Sequence, residues 1–260
     1  MKQFIGIDIG GTKTLIALFS KKGRILRRTR FLTSLNSKTF TNSLVSNLQP
    51  FQKYCIQGIA VAIPGIVKSE QNNYSFIFGN RDWPNLDLLT PIKNLFTCPI
   101  YFENDANLAA LYETRRFSGK SIYLTFSTGI GGGITNNGHL LFESTTFEPG
   151  HKIYLFNNQK LEWEDIASTK ALNCHYKTPI TSLKGKSIMQ EIAIRVSLGV
   201  QDIISEQSPK HLVIGGPLAK IYPRFRPYLS LPKSETKITR AKRPFDSTIY
   251  GCYELLKFKK

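Results

Sequence analysis

From Ile9 to Ser69 the chain contains no aspartate or glutamate, and its 260 residues hold 18 acids against 35 lysines and arginines. A net charge of +17 first suggests a nucleic-acid partner. The features that would support one are missing: there is no zinc-finger spacing, no RNP-like run and no basic-zipper heptad. A nucleic-acid role is therefore disfavoured. A plain basic exterior and attraction of a polyanion both stay open. Cysteine is scarce. Cys55, Cys98, Cys174 and Cys252 lie far apart with no C-x-x-C pair, which argues against a clustered zinc site. In a reducing compartment they read as small apolar residues rather than disulfide partners. No apolar run approaches the ~20 residues a membrane span needs. Met1-Lys2-Gln3 leads straight into Phe4-Ile5-Gly6-Ile7, without the apolar length or cleavage site of a signal peptide. A soluble, cytoplasmic protein is expected.

The chain is long enough for two lobes, each with its own core. Phe4–Ile9 reads as a strand, Gly10-Gly11-Thr12-Lys13 breaks it, and Thr14–Phe19 resumes it. The same grammar returns about 120 residues later. Ser121–Phe126 reads as a strand, Ser127–Gly133 as a turn, and Asn136-Asn137-Gly138 as a hairpin signal. Between the copies, Phe40, Leu44, Leu48 and Phe51 recur at helical spacing, Gly58–Ile63 reads as a buried strand, and a helix is expected from about Ala106 to Phe117. Ile188, Ile192, Val196, Gly199 and Ile203 mark a long helix, and His211–Ile214 a strand ending at Gly215-Gly216. This alternation makes an α/β protein with a duplicated hairpin-plus-α/β lobe.

Two glycine turns carry candidate phosphate chemistry. At Asp8-Ile9-Gly10-Gly11-Thr12-Lys13 the glycines admit close approach, Thr12 and Lys13 add a hydroxyl and a cation, and Asp8 could hold Mg²⁺ directly or through water. A strand follows instead of a helix, and G-x-x-x-x-G-K-[ST] is absent, so this is no P-loop. Ser127–Gly133 places four glycines in five positions, more than a structural turn requires, which points to approach of a phosphate chain.

In order, these stretches resemble the ROK family (repressors, open reading frames and sugar kinases) within the actin-like ATPase superfamily. Asp8–Lys13 resembles its first phosphate motif, Ala62-Ile63-Pro64-Gly65 its Pro-Gly segment, and Glu103-Asn104-Asp105-Ala106-Asn107 its catalytic stretch. Thr128–Gly133 resembles the second phosphate motif, Glu148-Pro149-Gly150-His151 the sugar-binding Glu-x-Gly-His, Glu164–Ser168 the Glu-x-x-Ala-Ser stretch, and Val213–Gly216 the adenosine-side motif. The resemblance implies a two-lobed ribonuclease H-like fold with a central cleft. It also implies transfer of phosphate from ATP, with Mg²⁺, to a hexose. Asp105 would be the catalytic base, with an N-cap aspartate as the bland alternative. Gly65, Asn80, Asn104, Asp105, Glu148, His151 and Glu164 would meet sugar. Asp8, Gly10, Gly11, Thr12, Lys13, Thr128, Gly129, Gly131, Gly132, Gly215 and Gly216 would meet the donor.

Many family members carry a cysteine-rich zinc loop between the histidine and the second glutamate. Here Lys152–Trp163 has no cysteine, so no structural zinc is expected, and packing of Tyr154, Phe156 and Trp163 should hold the loop. The expected domains are residues 1–117, 118–245, and a C-terminal helix at 246–260 that returns to the first lobe. The chain opens on the phosphate hairpin, so the winged helix of the family's repressors is not expected. A glucokinase-type activity heads the expectations. The alternatives are a polyphosphate-dependent glucokinase, an N-acetylmannosamine or fructose kinase, and a non-catalytic sugar sensor. A homodimer is compatible with the resemblance, and the oligomeric state is left open.

Overall fold

The computed structural model describes residues 2–70, 73–78, 83 and 86–258. It divides into two compact units, Met1–Tyr112 with Thr248–Lys260, and Glu113–Ser247. The first unit opens with β1 (Gln3–Ile9), β2 (Lys13–Ser20) and β3 (Ile25–Leu32), followed by α1 (Ser37–Leu48) and β4 (Ile56–Ile63). It continues with β5 (Gly65–Glu70), β6 (Asn73–Phe78), α2 (Leu89–Lys93), β7 (Ile100–Asn104) and α3 (Asp105–Thr114). The main sheet runs β3-β2-β1-β4-β7: an antiparallel meander continued by two strands parallel to β1. In β1 the side chains alternate, as a strand's must. Ile5, Ile7 and Ile9 join Phe40, Leu44 and Leu48 of α1 in one core. The edge strand β3 carries Arg27, Arg28 and Arg30, and charges of this kind keep a sheet edge from recruiting another strand.

The second unit repeats the plan. β8 (Lys120–Phe126), β9 (Ile130–Asn136) and β10 (His139–Leu140) form the meander, and the hairpin β11 (Ile153–Phe156) and β12 (Gln159–Glu162) follows. Then come α4 (Trp163–Ala167), α5 (Thr169–Tyr176), α6 (Lys186–Gln207), β13 (His211–Gly215), α7 (Tyr222–Phe225) and β14 (Lys237–Arg240). The sheet order is β10-β9-β8-β13-β14, with β13 and β14 parallel to β8, the connectivity of the first unit over again. Asn137 and Gly138 have φ of 51° and 78°, the two left-handed residues that a tight hairpin between β9 and β10 requires. The face of α6 bearing Ile192, Val196 and Val200 packs on Ile122, Leu124 and Ile214.

The last helix, α8 (Ser247–Phe258), packs on the other face of the first sheet. A Cβ at Gly6 would stand 3.0 Å from Cβ of Cys252 and 3.2 Å from Ile249, so the absent side chain sets how closely α8 approaches β1. α3 ends at Thr114, short of the expected Phe117. Beyond it the chain turns, with Phe117 N–H donating to the Thr114 carbonyl at 2.8 Å and Gly119 at φ 78°. Glu113, 1% exposed, accepts from the backbone N–H groups of Lys242 and Arg243 at 2.7 and 2.8 Å and from the Ser247 hydroxyl at 2.8 Å. The Thr114 hydroxyl bonds that of Thr135 at 2.7 Å, and Phe117 stacks on His211 with ring centroids 4.2 Å apart. Among the described residues no helix is long and apolar enough to cross a membrane.

Candidate active site

In the first unit, Asp8 is half-buried one residue before the end of β1, paired with Leu15 on one side and Ala62 on the other. The turn beyond it is closed by Gly10 N–H donating to the Lys13 carbonyl at 3.1 Å, and Gly11, Thr12 and Lys13 are exposed. The two glycines differ. A Cβ at Gly10 would press on the Lys13 carbonyl at 2.9 Å, so the turn itself requires glycine there. A Cβ at Gly11 would meet nothing within 4 Å, so no neighbour among the described residues accounts for its glycine. That open backbone beside a single hard carboxylate fits a phosphate chain and Mg²⁺, an ion that takes one or two carboxylates and keeps several waters.

The strand β7 ends beside β4, with Asn104 opposite Ile63. Asn104 Oδ1 accepts from Asn107 N–H at 3.0 Å, which makes Asn104 the cap of α3. Its Nδ2 donates at 2.9 Å to the carbonyl of Gly65, a residue in the left-handed region at φ 137°. Exchanging the amide oxygen and nitrogen would set donor against donor and acceptor against acceptor, so the network fixes the orientation. Glu103 Oε1 braces the same corner, accepting from Asn104 N–H at 2.9 Å and Asn107 Nδ2 at 3.0 Å. Asp105 is thus the first helical residue, half-buried, with Oδ1 accepting from Ala106 N–H at 2.8 Å. The N-cap alternative for Asp105 fails because Asn104 holds that position. Asn80, the other expected sugar contact, lies outside the described residues.

In the second unit Ser127 and Thr128 lie exposed at the tip between β8 and β9, and Ser127 N–H donates to the Gly129 carbonyl at 2.9 Å. Here the sequence reading of the glycines needs correction. Gly131, Gly132 and Gly133 belong to β9, opposite Thr125, Leu124 and Tyr123. The space at Gly129 is taken by the Glu164 carboxylate, and that at Gly132 by the Phe147 ring at 2.5 Å. At these two positions the protein's own packing demands glycine. The same holds at Gly215, where the Tyr123 ring closes in, and at Gly216, whose φ is 66°.

Glu164 sits in a cradle of backbone. Its Oε2 accepts from Ile130 N–H at 3.3 Å, and a Cβ on Gly150 would stand 2.9 Å from that oxygen. The helices that follow clamp the turn: Thr169 donates to the Phe126 carbonyl at 2.8 Å and Lys170 N–H to that of Ser127 at 3.1 Å. Glu148 leads into the 3₁₀ turn Pro149–His151 and accepts from His151 N–H at its own carbonyl, 3.3 Å away. Loss of water around the Glu148 carboxyl raises its pKa; nearby His151 lowers it and the Glu164 charge raises it again. His151 is raised above 6.5, chiefly by its hydrogen bond to Glu162, with burial opposing and the charges of Glu164, Glu162 and Glu148 assisting. Glu148, His151 and Glu164 therefore share one electrostatic neighbourhood. Ligand atoms of His151, Glu162 and Glu164 lie within 4.8 Å of one another.

Sequence reasoning missed Glu162 and the bracing role of Glu103. Glu162 could have been found from its place two residues before Glu164, at the end of a short alternating segment that follows Asn157-Asn158.

Two units with one repeated strand order, each with a β-hairpin turn at the exposed end of its first strand pair, define the duplicated α/β fold of the actin-like ATPases. The chain belongs to the ROK family, whose model matches residues 4–223. It is 27% identical over 254 residues to the xylose repressor of Bacillus subtilis, covering 84% of this chain and 65% of the repressor. It is 26% identical over 237 residues to the fructokinase of Zymomonas mobilis, covering 81% of this chain and 78% of that enzyme. Among solved structures it resembles a ROK family glucokinase from Streptomyces griseus in complex with glucose and AMPPNP. The TM-score is 0.78 at 20% identity, over 97% of this chain and 98% of that one.

Proposed function

We propose that this protein is a sugar kinase of glucokinase type, transferring the γ-phosphoryl group of ATP to a hexose hydroxyl. One observation carries the reading. Asn104 caps α3, and Asp105 follows as its first residue with Oδ1 accepting from Ala106 N–H at 2.8 Å, a carboxylate fixed at the helix start. A carboxylate there is favoured as the anion by the helix N-terminus and can take the proton from an attacking hydroxyl. The amide of Asn104 has one N–H beyond its bond to Gly65 with which to meet a sugar oxygen. Glu148, His151 and Glu164 offer further acceptors and a donor to hydroxyls. The turn at Gly10–Lys13 and the exposed tip at Ser127-Thr128 would position the donor phosphates through their backbone, with Gly215-Gly216 toward the nucleoside as the resemblance implies. Asp8 would hold Mg²⁺, which supplies charge neutralisation on the phosphates, so that placement and charge account for most of the catalysis.

The kinase relatives support this reading over a sugar sensor, since a sensor has no use for a base at Asp105. A second donor is favoured by one feature. A surface depression of about 440 Å³ in the second unit is lined by Arg116, Lys220, Arg240 and Lys242, with no acidic residue in its wall. Inorganic polyphosphate would be drawn to such a site at low salt. A coupled assay of glucose, fructose and N-acetylmannosamine, each with ATP and with polyphosphate, separates these readings. ATP-dependent turnover of a hexose is expected. Sugar binding without turnover for any pair would replace the kinase with a sensor.

A further inference from the structure

We propose that Glu162 is a positioning residue that fixes the ring of His151, and that the hairpin β11–β12 is the frame that holds Glu162 in place. This rests on the reading of His151 as a sugar-contacting residue.

The bond in question runs from His151 Nδ1 to Glu162 Oε2 at 2.9 Å. An ionised carboxylate can only accept, so Nδ1 must carry the proton whether the ring is neutral or charged. Nε2 is then the atom left to address a ligand, as an acceptor in the neutral ring and a donor in the imidazolium. His151 and Glu162 side chains are 60% and 42% exposed, so the pair contributes orientation more than stability.

The backbone makes that orientation reproducible. Glu162 lies opposite Ile153 in the hairpin register, and Trp163 N–H continues the ladder to the Lys152 carbonyl at 2.9 Å. The two chain segments that carry His151 and Glu162 are thus tied directly beside the bond. The hairpin tip, Asn157-Asn158, has φ of 49° and 61°, a two-residue turn that sets the register. The frame is docked on α6. Tyr154 donates to Asp202 at 2.8 Å, Lys152 pairs with the same carboxylate at 2.8 Å, and the Arg195 guanidinium lies 4.8 Å from the Phe156 ring centre. Trp163 is fully buried over Gly199 and donates from Nε1 to the Arg195 carbonyl at 3.1 Å. Glu162 and Glu164 flank this anchor. One carboxylate takes His151 and the other takes Ile130 N–H.

The groups facing His151 are Glu148, Glu162 and Glu164, so two carboxylates remain when Glu162 is changed. Long-range ¹⁵N NMR of the four histidine rings, assigned with His151→Ala, reads the bond without any activity. In the wild type His151 should be the Nδ1–H tautomer. Glu162→Ala should mix the tautomers and lower the midpoint of titration; Glu162→Gln, which still accepts at its amide oxygen, should keep the tautomer. Calorimetry with glucose, fructose and N-acetylmannosamine should show about tenfold weaker sugar binding in Glu162→Ala, the worth of one hydrogen bond, with much of the loss recovered in Glu162→Gln. An unchanged tautomer in Glu162→Ala, or unchanged sugar affinity despite a mixed one, overturns the proposal. Weakened binding in Glu162→Ala together with a wild type that phosphorylates nothing would retire the kinase reading and leave the positioning role standing.

Discussion

Asn104 uses its side chain on the backbone, with one end on α3 and the other on Gly65, and so fixes the place of Asp105 beside it. Single residues of this kind separate a turn that only folds from one that can also receive a ligand. Gly10 and Gly11 make the same distinction next door. Gly11→Ala should leave the denaturation midpoint unchanged, because its Cβ would enter open space, and should raise the KM for ATP about tenfold or more through clash with the phosphate chain. Equal loss of stability and donor affinity would mean that Gly11 serves the fold instead. At this scale the sequence was half legible. Residue types in order drew attention to Asp8, Asn104, Asp105, Glu148, His151 and Glu164. Which glycines face outward was not legible, because the occupants of the other sites, Phe147, Tyr123 and Glu164, come from distant parts of the chain.

Among the elements, the two hairpins at the Gly-Gly and Asn-Gly turns were legible, because such turns dictate their own geometry, whereas β5–β6 and β11–β12 were not foreseen. Helix ends were the least legible. α3 was expected to reach Phe117 and stops at Thr114, where a turn closes from Phe117 N–H to the Thr114 carbonyl, while Glu113 reaches Lys242, Arg243 and Ser247. No local pattern reveals bonds made across more than a hundred residues. The segment after His151 was expected to be held by Tyr154, Phe156 and Trp163. All three do dock it, with Asp202 and Arg195 of α6 as the partners the sequence did not name. The Glu113 cluster sets a stability test. Glu113→Ala would remove the acceptor of two part-buried N–H groups, while the Ser247 hydroxyl keeps the Arg243 carbonyl, and should cost about 1–3 kcal/mol in urea unfolding. A loss below about 0.5 kcal/mol would show that water or neighbouring groups satisfy them equally well.

For the whole molecule, the excess of basic charge has several homes. Arginines guard the edge strand β3, and Arg116, Lys220, Arg240 and Lys242 line a depression in the second unit. The loop without cysteines is held by protein contacts, which leads to a prediction on metal. Protein treated with a chelator and returned to Mg²⁺ should regain full activity and its original melting temperature, and elemental analysis should find no stoichiometric zinc. One zinc per chain, or a melting temperature that only zinc restores, would show that His151 and its carboxylates hold an ion.

The proposal that this ROK chain carries out phosphoryl transfer rests on Asp105 acting as the base. The most direct test is the turnover of Asp105→Ala against wild type on the hexose that binds, with sugar affinity measured separately by calorimetry. With Asp105 as the base, kcat should fall about 10²–10⁴-fold while sugar affinity changes far less. Turnover within a few-fold of wild type would contradict it.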